Sequence, residues 1–165
     1  MKQLFVIRHA KSDWGDFSLK DFDRPLNKRG HHNAPEMVAR FVAKGLKPDV
    51  MVSSPALRAL TTAKYFATGW QLKAEQLSTN PSIYEADTKT LLQVINRFND
   101  DFNSIALFGH NPGLTNLVNY LTDGQIANMP TCSAVVIEFP FDEWKLISSN
   151  TGNLVLFDYP KSGMD

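Results

Sequence analysis

Lys2-Gln3-Leu4-Phe5-Val6-Ile7-Arg8-His9-Ala10-Lys11 is an apolar run that stops abruptly at a cation beside an imidazole. Its hydrophobic residues are continuous rather than alternating, which reads as a strand buried on both faces, as in a parallel sheet covered by helices. Such a strand delivers Arg8 and His9 to the sheet's carboxyl edge, where open α/β folds bind their ligands. One stretch therefore predicts both a fold class and the place of a site.

Two later junctions repeat the pattern. Asp49-Val50-Met51-Val52-Ser53 is a short strand running into Ser54-Pro55 and a helix through Ala56, Leu57, Leu60, Ala63 and Tyr65 that stops near Gly69. Serine caps and a proline in the first turn explain where that helix starts. Arg58 falls in its opening turn, where free backbone N–H groups already favour an anion. Ser104-Ile105-Ala106-Leu107-Phe108 is a third apolar strand; it ends in Gly109-His110-Asn111-Pro112-Gly113 before a helix through Leu114, Leu117, Val118 and Leu121. Parallel strands bring their carboxyl ends to one rim, so Arg8, His9, Arg58 and His110 are expected to converge there.

The intervening segments complete the layout. Ser12 to Asn27 reads as a long functional loop leaving directly from the Arg-His end. Its acids, Asp13, Asp16, Asp21 and Asp23, are expected to face solvent or to pair with Lys11, Lys20, Arg24 and Lys28. A helix from Gly30 through Ala34, Met37, Val38, Phe41 and Val42 ends at Gly45. His31 and His32 at its entrance point in different directions and predict no paired metal site. Residues 71–86 read as loop, and Asp87 caps a helix through Leu91, Leu92, Val94, Ile95 and Phe98. Cys132 to Phe139, Lys145 to Ser148 and Asn153 to Phe157 read as an antiparallel meander at one edge, with Asp158 to Asp165 as a frayed terminus. The expected architecture is a three-layer α/β/α fold with a mostly parallel central sheet and antiparallel edge strands.

Bulk properties narrow the function. A chain of 165 residues that is 43% hydrophobic suits one domain over 1–165. Lys and Arg total 17, as do Asp and Glu, so no global field points to nucleic acid or an acidic membrane as partner. The first apolar run is too short for a signal peptide, and none approaches membrane-spanning length. With Cys132 the one cysteine, no internal disulfide forms and a cytoplasmic location is expected. Cys132 itself reads as a small buried strand residue. The histidines show no zinc spacing, and no phosphate-cradling GxxxxGK loop is present. Trp14 is the tryptophan expected near substrate.

Two arginines and two histidines around one hollow describe a dianion site. Each unit-charge pair at about 4 Å is worth about 4 kcal/mol at an effective dielectric of 20, and arginine's planar fork suits phosphate oxygens. A histidine can also attack phosphorus, leaving a phosphohistidine that water hydrolyses. The arginines and the second imidazole then hold the equatorial oxygens. An alkoxide leaving group needs a proton, for which Glu85 is the best-placed acid; a solvent-exposed charge flanking the next helix is its competing reading.

Arg8-His9-Ala10-Lys11-Ser12, Arg24-Pro25-Leu26 followed by Gly30, Ser53-Ser54-Pro55-Ala56-Leu57-Arg58-Ala59, Tyr84-Glu85 and Gly109-His110-Asn111-Pro112 together resemble the histidine phosphatase (phosphoglycerate-mutase-like) superfamily, especially its small SixA-type phosphohistidine phosphatase branch. The resemblance runs from the first strand to about residue 120. It implies His9 as nucleophile, Arg8, Arg58 and His110 as the phosphate pocket, and Glu85 at the proton donor of larger members. Ser12, Arg24 and Asn111 join the expected substrate contacts. No metal or organic cofactor is implied. The implied partner is a phosphorylated protein, such as a histidine-phosphotransfer domain, or a small phosphoester.

Ala10 stands where much of the superfamily has glycine and reads as a mark of subtype. Between Arg58 and His110 there is no room for the helical lid of larger relatives, so an open site is expected. A mutase needs a closed pocket that excludes water, which this chain is too short to build. The remaining alternatives are a small-molecule phosphomonoesterase and, from another class, a non-catalytic phosphoprotein-binding module. Retention of both His9 and His110 favours catalysis, because binding alone could use arginines.

Overall fold

Leu4 and Val6 pack into one hydrophobic cluster while Phe5 and Ile7 pack into another, so the first strand is covered on both faces, as its unbroken apolar run requires. The computed structural model describes residues 1–161. Its elements are β1 (Lys2–Arg8), α1 (Lys28–Ala43), β2 (Val50–Ser53), α2 (Leu57–Gly69), β3 (Leu77–Thr79), α3 (Thr88–Asn96), β4 (Ser104–Gly109), α4 (Gly113–Leu121), β5 (Ala134–Phe139) and β6 (Asn153–Asp158). Short 3₁₀ turns lie between several of them.

The six strands form one sheet in the order β3-β2-β4-β1-β5-β6. The pairs β3-β2, β2-β4 and β4-β1 are parallel, and β1-β5 and β5-β6 are antiparallel. Met37, Val38 and Phe41 of α1 and Phe66 of α2 cover one face. Leu91 and Ile95 of α3 and Leu114, Leu117 and Leu121 of α4 cover the other. Each such side chain removed from water contributes about 1.5–3 kcal/mol. The expected α/β/α layering with antiparallel edge strands is therefore what forms. No helix among the described residues is long and apolar enough to cross a membrane.

This winding creates the crevice. After β1 the chain turns to the face of α1; after the adjacent β4 it turns to the face of α4, so the two strand ends are left uncovered between helices, the switch point at which open sheets bind ligands. Arg8 is level with Gly109 in the β1-β4 register, and Ser53 is level with Phe108 in β2-β4.

Several local expectations are corrected. Lys145 to Ser148 is not a strand: Trp144–Leu146 is a 3₁₀ turn. Trp144 is fully buried, and its indole N–H donates to the Phe102 carbonyl at 2.9 Å, which anchors the turn under the sheet rather than at its edge. The loop expected over 71–86 contains β3, a three-residue edge strand with largely exposed side chains and thus no apolar signature. Helix α1 begins at Lys28, ahead of Gly30, because the Asn27 side chain accepts the Gly30 N–H at 2.9 Å. Cys132 is buried, but it precedes β5 at φ 61. Asp158 is not frayed: it pairs with Ala134 in the sheet and accepts from Arg40 at 3.2 Å. Arg40 also binds the carbonyls of Tyr159 and Pro160. The rest of the expected frayed end, residues 162–165, lies outside the described residues.

Candidate active site

The rim is assembled by backbone hydrogen bonds that continue the sheet one step beyond its strands. The His9 N–H donates to the Gly109 carbonyl at 3.1 Å, and the Ser54 N–H donates to the Phe108 carbonyl at 2.9 Å. Three strand exits are thereby locked side by side, and His9 and His110 come together with ring centroids 5.3 Å apart. Thr62 braces the first exit against α2: its hydroxyl accepts the Ala10 N–H at 2.9 Å and donates to the Arg58 carbonyl at 2.8 Å. Ala10 itself is fully buried and has no positive φ, so nothing in its backbone calls for glycine.

The protonation of both imidazoles follows from their partners. His9 Nδ1 lies 2.7 Å from the Ala10 carbonyl oxygen. A carbonyl only accepts, so Nδ1 carries the proton and Nε2 keeps its lone pair. Burial, which penalises the imidazolium, lowers the His9 pKa to about 3; the Ala10 hydrogen bond opposes this, while the charges of His110, Arg58 and Arg8 add to it. His110 is held down to about 4, again mainly by burial and then by the Arg58 charge. Its Nε2 lies 2.7 Å from the Ser54 hydroxyl, which already accepts the Ala56 N–H. Ser54 is fully buried and its hydroxyl hydrogen meets no other acceptor among the described residues, so it donates to Nε2 and His110 carries its proton on Nδ1.

Besides the Ser133 hydroxyl, three nitrogen donors are left over. Arg8 Nε, Arg58 Nε and His110 Nδ1 are buried and find no hydrogen-bond partner among the described residues. A buried donor without an acceptor costs about 1–3 kcal/mol, and three on one rim are suited to the oxygens of an oxyanion. Other nitrogens of each guanidinium hold it in place. Arg8 Nη1 donates to the Met129 carbonyl at 2.8 Å. Arg58 Nη1 donates to the Asp21 carbonyl at 2.7 Å, and Arg58 Nη2 to the Asp21 carboxylate at 3.0 Å. Burial and the neighbouring Arg58 charge both lower the Arg8 pKa, a repulsion that an anion between the two would relieve.

The other expected contacts are drawn into the surrounding framework. Arg24 is buried, donating to Ser12 Oγ at 2.7 Å and pairing with Asp21 at 3.1 Å, so Ser12 and Arg24 face each other. Asn111 uses its amide hydrogens on Asn128 and on the Met129 carbonyl that Arg8 also binds, and its oxygen accepts from Thr115. Its place is thus behind Arg8, holding that carbonyl. Glu85 is exposed at φ 55, in the turn entering α3. Cys132 has its thiol pushed up to about 12 by burial, consistent with a packing role.

Asp21 was not singled out by its sequence. Reading it as a loop acid that faces solvent or pairs with Arg24 captures only part of its place, because it also binds Arg58 across the rim and accepts from the Tyr84 hydroxyl at 2.6 Å. Partial burial alone would raise the Asp21 carboxyl; hydrogen bonds from Tyr84 and Arg58, with the Arg58 charge, outweigh this and hold it at about 2. Tyr84 is raised to about 12 by burial and by Asp21, and its ring packs edge-on to His110 at 5.5 Å. The spacing of Asp21 three residues before Arg24 was the one available signal. Among the described residues no group of three His, Cys, Asp or Glu side chains could hold a metal ion. His31 instead meets the Tyr65 hydroxyl at 2.7 Å.

Comparison with known proteins follows the same lines. Residues 4–91 match the family model described as histidine phosphatase superfamily (branch 1). A chloroplastic protein of Arabidopsis thaliana, described as uncharacterized, is 28% identical over 152 residues, covering 87% of this chain and 69% of that protein. Among solved structures, one assigned to the phosphohistidine phosphatase SixA from Agrobacterium tumefaciens superposes with a TM-score of 0.81 at 22% identity, covering 96% of this chain and 98% of the other. The protein histidine phosphatase SixA complexed with tungstate gives 0.80 at 20% identity, with 96% and 97% covered. The fold is shared throughout, and the family match spans more than half the sequence, including the strand end that carries Arg8 and His9 and the helix that carries Arg58. This chain therefore belongs to the histidine phosphatase superfamily, branch 1, and is an enzyme with phosphatase activity.

Proposed function

We propose that the enzyme hydrolyses a phosphoryl group through a covalent intermediate on His9 Nε2, and that its substrate is phosphohistidine carried by a protein. The observation that carries this reading is the set of three buried, unpartnered N–H donors, on Arg8, Arg58 and His110, beside a neutral imidazole with a free Nε2. The Nε2 lone pair attacks phosphorus as the bond to the leaving group breaks, and the oxygens gather charge against the three donors. Water then attacks the phosphohistidine, the P–Nε2 bond breaks, and inorganic phosphate leaves with His9 returned to its neutral form.

Two features support a protein-borne phosphohistidine. An imidazole departs neutral when its other nitrogen carries a proton, so it asks less of an enzyme acid than an alkoxide does, and Glu85 stands exposed rather than buried against the rim. The connection from β3 to α3 holds only a 3₁₀ turn at Pro81–Ile83, with no helix to close over a small substrate.

The test is a hydrolysis panel of a phosphohistidine protein, a sugar phosphate and an aryl phosphate. The phosphohistidine protein should have the highest kcat/KM, and His9→Ala should lose at least about 10³-fold on every substrate. Acid quenching during turnover should trap label on the wild type and none on His9→Ala. Full activity of His9→Ala would exclude the mechanism, and preference for the sugar phosphate would exclude the substrate.

A further inference from the structure

The loop between β1 and α1 carries apolar surface that neither the core nor the reaction uses. Phe17 is 95% exposed and Trp14 68%, with Leu19 at 39% and Phe22 at 38%. Single exposed apolar residues are ordinary, but four within residues 14–22 gather into a patch, and such patches mark interaction sites.

The two ends of this patch are anchored, and its backbone is turned by side-chain hydrogen bonds. Asp13 accepts the Gly15 N–H at 2.7 Å and Asp16 accepts the Ser18 N–H at 2.9 Å, giving two successive tight turns, with Trp14 inside the first and Phe17 inside the second. The Arg24 guanidinium lies 3.4 Å from the Trp14 ring centroid, and Ser12 and Asp21 hold that guanidinium in turn. Phe22 packs edge-on to Tyr84 at 5.2 Å. Aromatic anchors fixed in advance lose little entropy on docking, which is why they dominate interface energetics.

Both ends of the patch run into the candidate active site. Trp14 reaches it through Arg24 and Ser12, and Phe22 reaches it through Tyr84, which packs on His110. From this continuity we infer that residues 14–22 are a docking ridge for the phosphorylated protein substrate, covering an apolar face of it while the phosphoryl group enters between Arg8 and Arg58. The inference rests on the protein-substrate reading above. A small phosphoester has no surface with which to cover Phe17, whereas the body of a protein carrying the phosphoryl group has. Asp16 on the ridge and Asp13 and Asp23 flanking it outnumber Lys20, with Asp21 already paired to Arg24 and Arg58, so the ridge suits a partner with basic residues around its apolar face and disfavours an anionic lipid surface.

The experiment compares wild type, Phe17→Ser and Phe17→Leu on a histidine-phosphotransfer domain phosphorylated on its imidazole, on free phosphohistidine and on p-nitrophenyl phosphate. Phe17→Ser should raise KM for the phosphorylated domain roughly tenfold with kcat unchanged. Both small substrates should stay within about twofold of wild type, as expected for a surface change. Phe17→Leu should restore most of the loss. Unchanged KM for the domain with Phe17→Ser, or equal losses on all three substrates, would overturn the ridge while leaving the protein-substrate reading intact. A wild type that turns over the small substrates and not the domain would overturn that reading, and the ridge with it. Sedimentation supplies the remaining arm: if Phe17→Ser dissociates a dimer without moving KM for the domain, the patch joins two copies of this chain and the inference fails.

Discussion

At the scale of single residues the chemistry depends on which atoms lack partners. His9 and His110 are both neutral imidazoles, yet their hydrogen bonds divide the roles: Ala10 holds the proton of His9 on Nδ1 and exposes a lone pair, while Ser54 leaves His110 with an N–H to offer. Glu85 stands out first for its backbone. At φ 55 it occupies the left-handed region, which costs a non-glycine residue of order 1 kcal/mol. Its carboxyl stands exposed in the turn that follows Tyr84. With its carboxyl proposed as the proton donor that an alkoxide needs and a phosphohistidine does not, Glu85→Gln should lower kcat for an alkyl phosphate by about tenfold or more, the scale of general acid catalysis, and should leave turnover of phosphohistidine within about twofold. Steady-state rates on the two substrates check this, and equal losses would show that the carboxyl serves both leaving groups.

Elements set the positions of these residues through close backbone approaches. Helix α1 presses against the exit of β1 at Gly30, where an added Cβ would sit 2.2 Å from the Lys11 carbonyl oxygen and 3.2 Å from Leu26 Cβ. The obstacle is backbone and cannot swing aside; the same carbonyl also accepts the Asn27 N–H at 2.9 Å. Gly30→Ala must displace either the helix or the segment two residues beyond His9. It should lose about 2 kcal/mol or more in urea unfolding, with kcat falling as well because Arg8 and His9 move with the strand end. A variant with full stability and activity would mean that α1 docks more loosely than this contact implies. Arg24-Pro25-Leu26 and Gly30 thus act as one device: Leu26 packs under the loop, Arg24 ties it to Ser12 and Asp21, and Gly30 lets the helix approach.

Across the whole molecule the two ends of the sheet are treated differently. At the amino end the buried Lys2 ammonium donates to Asp100 and Phe102 carbonyls and to Asn103, with every N–H in use. At the carboxyl end donors are left open and two imidazoles are held neutral. That arrangement makes the fold sensitive to acid. His9 at about 3 and His110 at about 4 lie below the usual 6.5, so between pH 6.5 and 4 the unfolded chain binds protons that the folded chain refuses. Stability must then fall as pH falls through this window, by up to about 1.4 kcal/mol per pH unit for each imidazole. Denaturant unfolding across that range should show the slope, and His110→Gln should reduce it by about half. Asp21, held at about 2, contributes its own loss only below the ordinary carboxylate range, so the two effects separate. A flat profile from pH 6.5 to 4 would mean that the imidazoles are solvated in the folded state.

What the amino-acid sequence determined by itself is local and periodic. Continuous apolar runs named β1, β2 and β4, a capping Asp87 named the start of α3, and polar groups at three strand ends marked Arg8, His9, Arg58 and His110 before any coordinates. Where the pattern was weak it misled: Lys145 to Ser148 looks like a strand, but burial of Trp144 makes it a turn, and β3 is too short and exposed to leave a signature. The sheet order, the register of Arg8 with Gly109, the grip of Asp21 on Arg58, the withdrawal of Asn111 behind Arg8 and the neutrality of both imidazoles were decided only by the tertiary structure. The reason is physical. A hydrophobic period is a property of neighbours along the chain, whereas a hydrogen-bond partner, a desolvated charge and an unpaired donor depend on groups that meet only after the chain has folded.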